Sequence, residues 1–283
     1  MTRVVAVSGA GGFIGAHLTR ALAARGDRVL PLMRAGGMLD APHEPVDAVV
    51  HLAFPTSAAL RRGAPVEALA SAIGATLAAV SRAASAGARH LVIASSGKVY
   101  APPARLPIEE NFPLVPTTFL GELKLACERL AGLSARRGTT FGVSALRIFN
   151  VYGPGQRDEF IVAHLLAALG RARVPVGELE HGRDYLHVKD VCDAIVTALA
   201  HPPAIGEVRA MNVASGRATT PRELARLLET ASGRALDLVV DPARLRPGEV
   251  VEERACARAL TELGWAPRIS LAEGLAELAR AAR

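Results

Sequence analysis

A cluster of glycines close to the first residue constrains the fold of this chain more than any other feature. The run Val4–Ser8 is apolar, rich in β-branched residues and of the length expected for a strand buried on both faces. Gly9, Gly12 and Gly15 follow at G-x-x-G-x-x-G spacing, and a helical pattern begins among them. A strand, a glycine turn and a helix in this order predict a site for the pyrophosphate of a nucleotide at the helix N-terminus.

Each glycine meets a steric requirement of such a site. Gly9 permits the tight turn after the strand, Gly12 lets the backbone approach the phosphates, and Gly15 lets the helix pack on the strand. Phe13 and Ile14 open the helix, so we predict that they line the site, with the N-terminal amides facing the anion. The alternative is a glycine-rich turn that binds nothing.

Composition argues against several other functions. The net charge is +6 and the arginines are scattered along the 283 residues, which favours a small phosphate-bearing partner over a nucleic acid. No apolar stretch reaches the roughly 18 uncharged residues of a membrane span, and we expect no secretion leader. The three cysteines are widely spaced in apolar segments, and no metal-ligand spacing appears. We therefore expect a cytoplasmic protein without a metal site or a membrane partner.

Lysine is rare in this chain. Of the 33 basic residues only three are lysines, namely Lys98, Lys124 and Lys189. Lysine is a compact charge whose pKa shifts readily on burial, whereas arginine stays protonated. A lysine in such a background marks a position where arginine would not serve, unless it survives by chance.

Alternating strand and helix patterns predict an α/β fold with a doubly wound, Rossmann-type parallel sheet covered by helices on both faces. Strands are predicted at 3–8, 28–33, 46–52, 89–95 and 141–148. Helices are predicted at 12–25, 64–86, 117–137, 158–170, 189–200, 221–232 and 271–282. Beyond residue 150 the pattern loosens into shorter pieces. We therefore predict a dinucleotide-binding domain over 1–150, with 183–200 returning to it, and a smaller α/β substrate-binding lobe over 151–283.

The interval between Met33 and Val46 is too short for a complete unit of this fold. Its 12 residues include two glycines and two prolines, which cannot supply a strand flanked by two helices. We predict that the third βα unit is abbreviated or absent. The adenine side of the nucleotide pocket should then be more open.

Seven segments, in order along nearly the whole chain, carry a resemblance to a known family. They are Gly9–Gly15, Asp47–Ala53, Ala94–Tyr100, Leu146–Gln156, Arg183–Val191, Arg246–Val250 and Leu263–Trp265. With these segments the chain resembles the extended short-chain dehydrogenases/reductases of the nucleotide-sugar epimerase/dehydratase/4-ketoreductase group. The resemblance implies a Rossmann domain that holds a nicotinamide dinucleotide and a C-terminal lobe that grips a nucleoside diphosphate sugar.

The resemblance also implies roles for residues outside the glycine turn. Leu52 and Ala53 are expected beside the cofactor. Asn150 and Arg246 are expected near the diphosphate of the substrate, and Arg183 in the same substrate site. Otherwise, Asn150 makes an ordinary loop hydrogen bond and Arg246 is a surface charge.

The catalytic motif departs from the family pattern. The family uses Tyr-x-x-x-Lys at the start of a helix, together with a hydroxyl residue at the end of a nearby strand. Lys124 is present and Ser96 matches the hydroxyl residue, but Leu120 occupies the tyrosine position. We predict that Ser96, Tyr100 or a water held by Lys124 supplies the proton. Ser96 is also expected to contact the substrate, and Lys124 the cofactor.

The end of the second predicted strand favours NADP(H), with NAD as the alternative. Met33 and Arg34 stand where NAD-selective relatives end the strand with an acid on the adenosine ribose. An arginine there suits a 2′-phosphate. Otherwise, Arg34 is a solvated loop charge.

Three functions stay open from the sequence. The favoured one is an NADP-dependent reductase or epimerase of a nucleoside diphosphate sugar, such as a 4-keto-6-deoxyhexose. In the second, the fold carries out an elimination or cyclisation without net redox change, with Lys124 as base or electrostatic anchor. In the third, the protein binds a cofactor or a partner and is catalytically silent. Relatives often pair through the helix after Leu120, so we also expect a homodimer.

Overall fold

Strands and helices alternate through the first half of the chain, as the sequence predicts. The computed structural model describes residues 2–35, 38–40, 44–55, 60, 65–171, 173–245 and 248–282, with the backbone alone at 33–35 and 38–40. Its strands are β1 (Val4–Ser8), β2 (Arg28–Ala35), β3 (Met38–Asp40), β4 (Ala48–His51), β5 (His90–Ser96), β6 (Gly142–Ile148), β7 (Asn150–Tyr152), β8 (Val174–Val176), β9 (Gly182–His187), β10 (Val208–Val213), β11 (Ala218–Thr219), β12 (Leu238–Val240) and β13 (Glu252–Glu253). Its helices are α1 (Phe13–Ala24), α2 (Pro65–Ser85), α3 (Phe119–Arg136), α4 (Ile161–Ala167), α5 (Val188–Ala200), α6 (Pro221–Ser232), α7 (Arg258–Thr261) and α8 (Leu271–Ala281).

Seven of the described strands form the large sheet, in the order β10-β6-β5-β4-β1-β2-β3. Neighbouring strands are parallel, except that β2 and β3 pair antiparallel. β1, β4, β5 and β6 are buried along most of their length, as expected of a parallel sheet covered on both faces. The predicted α/β fold is confirmed.

The two faces of the sheet are covered by different helices, because successive side chains of a strand point in opposite directions. Val5 and Val7 of β1 belong to the apolar cluster that includes Leu18 of α1 and Ile195 of α5. Ala6, between them, belongs to the cluster shared with α2 and α3. The sheet is therefore sandwiched between two helical layers.

α2 is long and apolar enough to span a membrane, judged by length and composition alone. Its buried residues recur along one face, and they are Ala72, Ala75, Thr76, Ala79 and Ala83. Three of these alanines belong to the cluster that α2 shares with α3 and the sheet. In this fold α2 is a covering helix of the large sheet.

The edge of the sheet beyond β2 is abbreviated. β2 turns back into the three-residue strand β3, in which Met38 pairs with Ala35 and Asp40 with Met33. In the described part of the chain, no helix lies between β3 and β4. The predicted loss of a full third βα unit is confirmed, whereas the openness of the adenine side stays a prediction.

A smaller region is built around β9. β9 pairs with β7, β11 and β13, and β12 pairs with β8. The core of this region is apolar and includes Tyr152, Leu165, Leu224, Leu228 and Leu275. α6 and α8 each begin with a capping box, which satisfies two free backbone amides at the start of the helix.

Three segments beyond residue 150 contribute to the core of the large sheet. α5 packs against α1, and β10 extends the sheet beside β6. Trp265 is buried against α5 and donates its Nε1–H to the carbonyl oxygen of Asp190 at 3.2 Å. The sequence pattern predicts α5 but not β10, in which only half of the residues are buried. The division into two domains at residue 150 stays a prediction.

Candidate active site

A cavity of about 460 Å³ lies at the carboxyl ends of β1, β4, β5 and β6. This is the edge at which open α/β sheets bind their ligands. Among the residues predicted from the sequence, those that line it are Gly9, Gly12, Phe13, Ile14, Gly15, Leu52, Ser96, Lys124 and Asn150. The structure thus brings the glycine turn and the remaining catalytic motif to one site.

The glycine turn leaves no room for side chains. Gly9 has a φ of +73°, which favours glycine, and a Cβ at this position would lie 3.0 Å from the backbone nitrogen of Ala53. A Cβ at Gly15 would overlap the carbonyl oxygen of Gly9, so only glycine lets α1 approach β1 this closely. Ala53 supports the turn through its backbone and is not one of the residues that line the cavity.

The N-terminus of α1 faces the cavity. Gly12 is the N-cap and has no side chain that could accept a hydrogen bond from the first turn. Phe13 and Ile14, the first two residues of the helix, line the cavity. Because amides of a first turn lack intrahelical partners and lie at the positive end of the helix, they suit a pyrophosphate. The residues present therefore fit a dinucleotide.

Lys124 is a buried lysine on α3. Thr118 caps the start of this helix, and its hydroxyl accepts a hydrogen bond from the Gly121 amide at 3.1 Å. Lys124 Nζ donates to the carbonyl oxygen of Ala94 at 2.5 Å and lies 3.3 Å from the centroid of the Phe54 ring. Loss of hydration disfavours the charged form and lowers the pKa of Lys124 to about 7. Near neutral pH this lysine can serve as a positive anchor or as a base.

A buried histidine supports the wall of the cavity beside Phe54. His51 lies with Nδ1 2.6 Å from the Ser8 hydroxyl and with Nε2 3.2 Å from the Thr76 hydroxyl. Burial, assisted by the charge of Lys124, lowers the pKa of His51 to about 3, so the ring is neutral at physiological pH. Its centroid is 4.5 Å from that of the Phe54 ring. His51 is therefore a neutral group whose hydrogen bond to Ser8 connects the ends of β1 and β4.

Two other positions of the catalytic motif lie in the cavity. Leu120 lines it one helical turn before Lys124, and its apolar side chain has no proton to give. Ser96 lines it at the end of β5, where its Oγ accepts a hydrogen bond from the Lys98 amide at 3.2 Å. The hydroxyl hydrogen of Ser96 stays available to an acceptor in the cavity.

Tyr100 is a core residue, which corrects its prediction as a proton donor. Its hydroxyl donates to Asn212 Oδ1 at 2.6 Å and accepts from Arg147 Nη1 at 3.0 Å. Burial raises the pKa of Tyr100 to about 12 although Arg147 opposes this shift. Tyr100 is 4% exposed and is not one of the residues that line the cavity. Its hydroxyl joins the buried Arg147–Glu128 pair to the neighbouring strand.

Arg183 is held by neighbouring carboxylates and does not line the cavity in which its contact with substrate is predicted. Its guanidinium pairs with Glu249 at 2.9 Å and lies 3.6 Å from a carboxylate oxygen of Glu253. It also donates to the carbonyl oxygen of Gly182 at 2.8 Å. These partners occupy the guanidinium, and Arg183 is not one of the residues that line the cavity. The prediction for Arg183 is corrected accordingly.

The other predicted ligand contacts are described only in part. Asn150 lines the cavity and donates its Nδ2–H to the carbonyl oxygen of Asp184 at 3.2 Å. Arg246 lies outside the described residues, as does the side chain of Arg34. Their predicted roles stay predictions.

The sequence pattern does not reveal an ion pair inside the cavity. Lys98 Nζ donates to the two carboxylate oxygens of Glu253 at 2.8 and 2.6 Å, and both residues line the cavity. The two residues are 155 positions apart, so no local pattern joins them. The rarity of lysine is the signal that singles out Lys98. Phe54, which lies against Lys124, carries no comparable signal.

The fold and the site define a dinucleotide-binding α/β protein with the architecture of the short-chain dehydrogenases/reductases. A glycine turn, a helix N-terminus, Ser96 and Lys124 surround one cavity at the end of a parallel sheet. In the described part of the chain, no cluster of His, Cys, Asp and Glu side chains is placed to hold a metal ion.

Comparisons with known proteins agree with this class. The model of the NAD dependent epimerase/dehydratase family matches residues 5–214. The chain is 34% identical over 297 residues to GDP-6-deoxy-D-mannose reductase from Pseudomonas aeruginosa, an alignment that covers 97% of this chain and 95% of the relative.

Two solved structures share the fold over nearly the whole chain. RMD from Pseudomonas aeruginosa complexed with NADPH superimposes with a TM-score of 0.89 at 30% identity, covering 99% of each chain. MoeE5 in complex with UDP-glucuronic acid and NAD gives a TM-score of 0.87 at 29% identity, covering 99% of this chain and 100% of the other. The chain belongs to the NAD-dependent epimerase/dehydratase family and is an enzyme of its epimerase/reductase type, which confirms the resemblance seen in its motifs.

Proposed function

We propose that the protein is an NADPH-dependent reductase of a nucleoside diphosphate sugar, acting on a keto group such as that of a 4-keto-6-deoxyhexose. The observation that carries the proposal is the end-to-end likeness to a GDP-6-deoxy-D-mannose reductase, over 97% of this chain. The cavity supports it, because Ser96 and Lys124 lie in one site with the glycine turn. A catalytically silent protein is not favoured, because the chain belongs to a family of enzymes.

The chain offers a defined set of groups to the cofactor. A bound, reduced nicotinamide dinucleotide supplies a hydride to a carbonyl carbon. The backbone amides of Phe13 and Ile14 would hold its pyrophosphate, and Lys124 would place a positive charge in the same cavity. Arg34 at the end of β2 favours NADPH, because a 2′-phosphate is bound by a cation at the end of the second strand.

The remaining groups act on the oxygen of the keto group. The Ser96 hydroxyl donates a hydrogen bond to it, and the charge of Lys124 stabilises the negative charge that develops there. Leu120, at the position of the family's tyrosine, gives this part of the cavity an apolar surface. General acid assistance contributes about 10²–10⁴-fold, so the loss of the tyrosine slows the reaction without abolishing it.

A reaction without net redox change is the second candidate. It is favoured by the pKa of Lys124, which desolvation lowers to about 7. A lysine that is partly neutral at physiological pH can remove a proton from the substrate, as an elimination or cyclisation requires. The two candidates differ in whether NADPH is consumed.

We also propose that the enzyme is a cytoplasmic homodimer. Cys127, Cys192 and Cys256 are free thiols, as is usual in a reducing compartment. Leu77 on α2 and Leu133 on α3 are 48% and 52% exposed, and the two helices pack side by side. Their apolar surface is available to a second copy of the chain. A monomer in sedimentation experiments would contradict the dimer.

Turnover by the purified protein tests the proposed function. The protein is mixed with NADPH or NADH and with a panel of nucleoside diphosphate 4-keto sugars, and cofactor and sugar are followed together. We expect NADPH to be consumed in step with the keto sugar and to bind more tightly than NADH, with Arg34→Ala erasing most of that difference. Conversion of the sugar without consumption of NADPH would support the second candidate. No conversion of any sugar would contradict both.

A further inference from the structure

The reduction proposed above requires a proton for the oxygen that becomes a hydroxyl group, and Leu120 cannot supply it. Among the described residues that line the cavity, those with ionisable side chains are Lys98, Lys124, Arg157, Tyr185 and Glu253. Arginine keeps its proton at physiological pH, and burial raises the pKa of Tyr185 far above that range. Glu253 is a carboxylate that accepts both hydrogen bonds from Lys98 and has no proton to donate. The two lysines are therefore the candidate donors.

The two lysines differ in what holds their ammonium groups. Lys124 Nζ faces the carbonyl oxygen of Ala94 and the ring of Phe54, and the residue is 8% exposed. Lys98 Nζ donates to both oxygens of Glu253, and its side chain is 31% exposed. An ammonium has three hydrogens, so the bonds to Glu253 leave one for a ligand. Lys98 thus combines a carboxylate partner, a place in the cavity and access to water.

The backbone of Lys98 packs against α3, the helix in which Leu120 occupies the position of the family's tyrosine. A Cβ at Gly97 would lie 2.7 Å from the ring of Phe149, and a Cβ at Gly121 would overlap the carbonyl oxygen of Lys98. Only glycine at position 121 lets the turn after β5 and the start of α3 come this close, while Gly97 makes room on the same turn for the ring of Phe149. Gly121 directly follows Leu120, so Lys98 is held beside the turn of helix in which the tyrosine is absent.

We propose that Lys98 is the general acid of this enzyme and that Glu253 positions it, an inference that rests on the proposed function. As the hydride from the reduced nicotinamide dinucleotide reaches the carbonyl carbon, the π electron pair moves to the oxygen. The oxygen takes a proton from Lys98 Nζ and becomes a hydroxyl group. The neutral amine of Lys98 then regains a proton from water. Glu253 holds the ammonium through two hydrogen bonds, and Arg183 lies 3.6 Å from the same carboxylate.

Two substitutions of Lys98 separate proton donation from charge. Lys98→Met removes the ammonium, whereas Lys98→Arg keeps the charge and the pair with Glu253 but cannot release a proton. We expect both to lower kcat by about 10²-fold or more, with a much smaller change in KM for the nucleotide sugar. The matched control is Lys189→Met, which breaks an exposed ion pair with Glu277 and should leave kcat unchanged. Full activity of Lys98→Met, or recovery in Lys98→Arg, would overturn the assignment.

Labelling the lysines provides a measurement that does not depend on turnover. Growth with lysine that carries carbon-13 at Cε gives each of the three lysines an NMR signal without changing its ammonium group, and Lys98→Arg identifies the Lys98 signal among them. We expect a nucleoside diphosphate sugar without a keto group to shift the Lys98 signal and not that of Lys189. Glu253→Gln should shift the Lys98 signal in the free protein. A Lys98 signal that stays in place while the nucleotide sugar binds would overturn the proposal.

The outcomes separate this inference from the proposed function. If the wild-type enzyme reduces the keto sugar and Lys98→Met does so equally well, the role of Lys98 is refuted and the reductase stands. If the wild-type protein binds NADPH and the nucleotide sugar but consumes no NADPH, the reductase is refuted, and the role of Lys98 with it.

Discussion

Lys124 is buried, and its ammonium group faces a carbonyl oxygen and an aromatic ring. The carbonyl oxygen of Ala94 and the face of the Phe54 ring replace part of the lost hydration. They do not replace all of it, and desolvation lowers the pKa of Lys124 to about 7. The burial of charged Lys124 therefore lowers the free energy of unfolding by an amount that depends on pH.

Lys124→Met should remove that dependence. The pKa of Lys124 is about 7 in the folded protein against an ordinary value of 10.5, so the unfolded chain binds more protons between these values. The cost of the buried charge is complete below about pH 7 and disappears as the pH rises toward about 10. The free energy of unfolding of the wild type should rise over this range, by an amount on the order of a few kcal/mol, and the variant should lack this part of the rise.

Denaturant unfolding at a series of pH values measures this difference. Lys189→Met is the control, because Lys189 is more than half exposed and should follow the wild type. The same pH profile for the wild type and Lys124→Met would show that Lys124 stays charged in the folded protein, against our expectation.

Leu120→Tyr tests whether the reaction of this site can use the phenol that the family has at this position. The new phenol would lie one helical turn before Lys124, on a residue that already lines the cavity. A reductase should keep similar activity or gain some, because the lysine again has a phenol to polarise. Leu120→Phe adds the same ring without the hydroxyl and should not gain activity. Loss of turnover in Leu120→Tyr with NADPH binding intact would favour the reaction without net redox change.

At the scale of elements, the approach of α3 to the turn after β5 determines the shape of the site. The helix carries both Leu120 and Lys124, and it can approach only because Gly121 has no Cβ. A Cβ there would overlap the carbonyl oxygen of Lys98 and lie 2.8 Å from Cβ of Pro116. Gly121 thereby allows Lys98, Leu120 and Lys124 to lie around the same cavity.

Alanine substitutions at two helical glycines should have opposite effects. Gly121→Ala forces α3 away from the turn and should destabilise the protein by about 1–3 kcal/mol. Gly74→Ala on α2 meets no atom within 4 Å outside its own helix. It should stabilise the protein by about 0.5–1 kcal/mol, since alanine favours helix. Thermal or denaturant unfolding measures both, and a gain in stability for Gly121→Ala would contradict the close packing of α3.

The sequence predicts those elements and residues that carry a local pattern. The strands of the first half are continuous apolar runs, and the glycine turn, Ser96 and Lys124 lie in contiguous motifs. β10 is only half buried and lacks such a run. The pairing of Lys98 with Glu253, and the burial of Tyr100 away from the cavity, depend on contacts between distant segments. Such contacts exist only once the fold has formed, so the pattern could not reveal them.

At the scale of the whole molecule, the cavity joins parts of the chain that are far apart in sequence. The glycine turn, the end of β5 and the start of α3 form one side, and residues from 148–162, Tyr185 and Glu253 complete it. The ion pairs of Glu253 with Lys98 and Arg183 connect β13 to the turn after β5 and to β9. The carboxyl end of the large sheet and the smaller region thus line one cavity, which the proposed reduction of a nucleotide sugar requires.

The transfer of deuterium from the cofactor to the sugar tests the proposed reduction most directly. NADPH that carries deuterium at both hydrogen positions of C4 of its nicotinamide ring is incubated with the protein and a nucleoside diphosphate 4-keto-6-deoxyhexose, and the products are analysed by mass spectrometry. We expect a nucleoside diphosphate 6-deoxyhexose that carries deuterium on the carbon of the former keto group, in an amount equal to the NADPH oxidised. A product without deuterium, or a sugar that changes while NADPH is left intact, would contradict the proposed function.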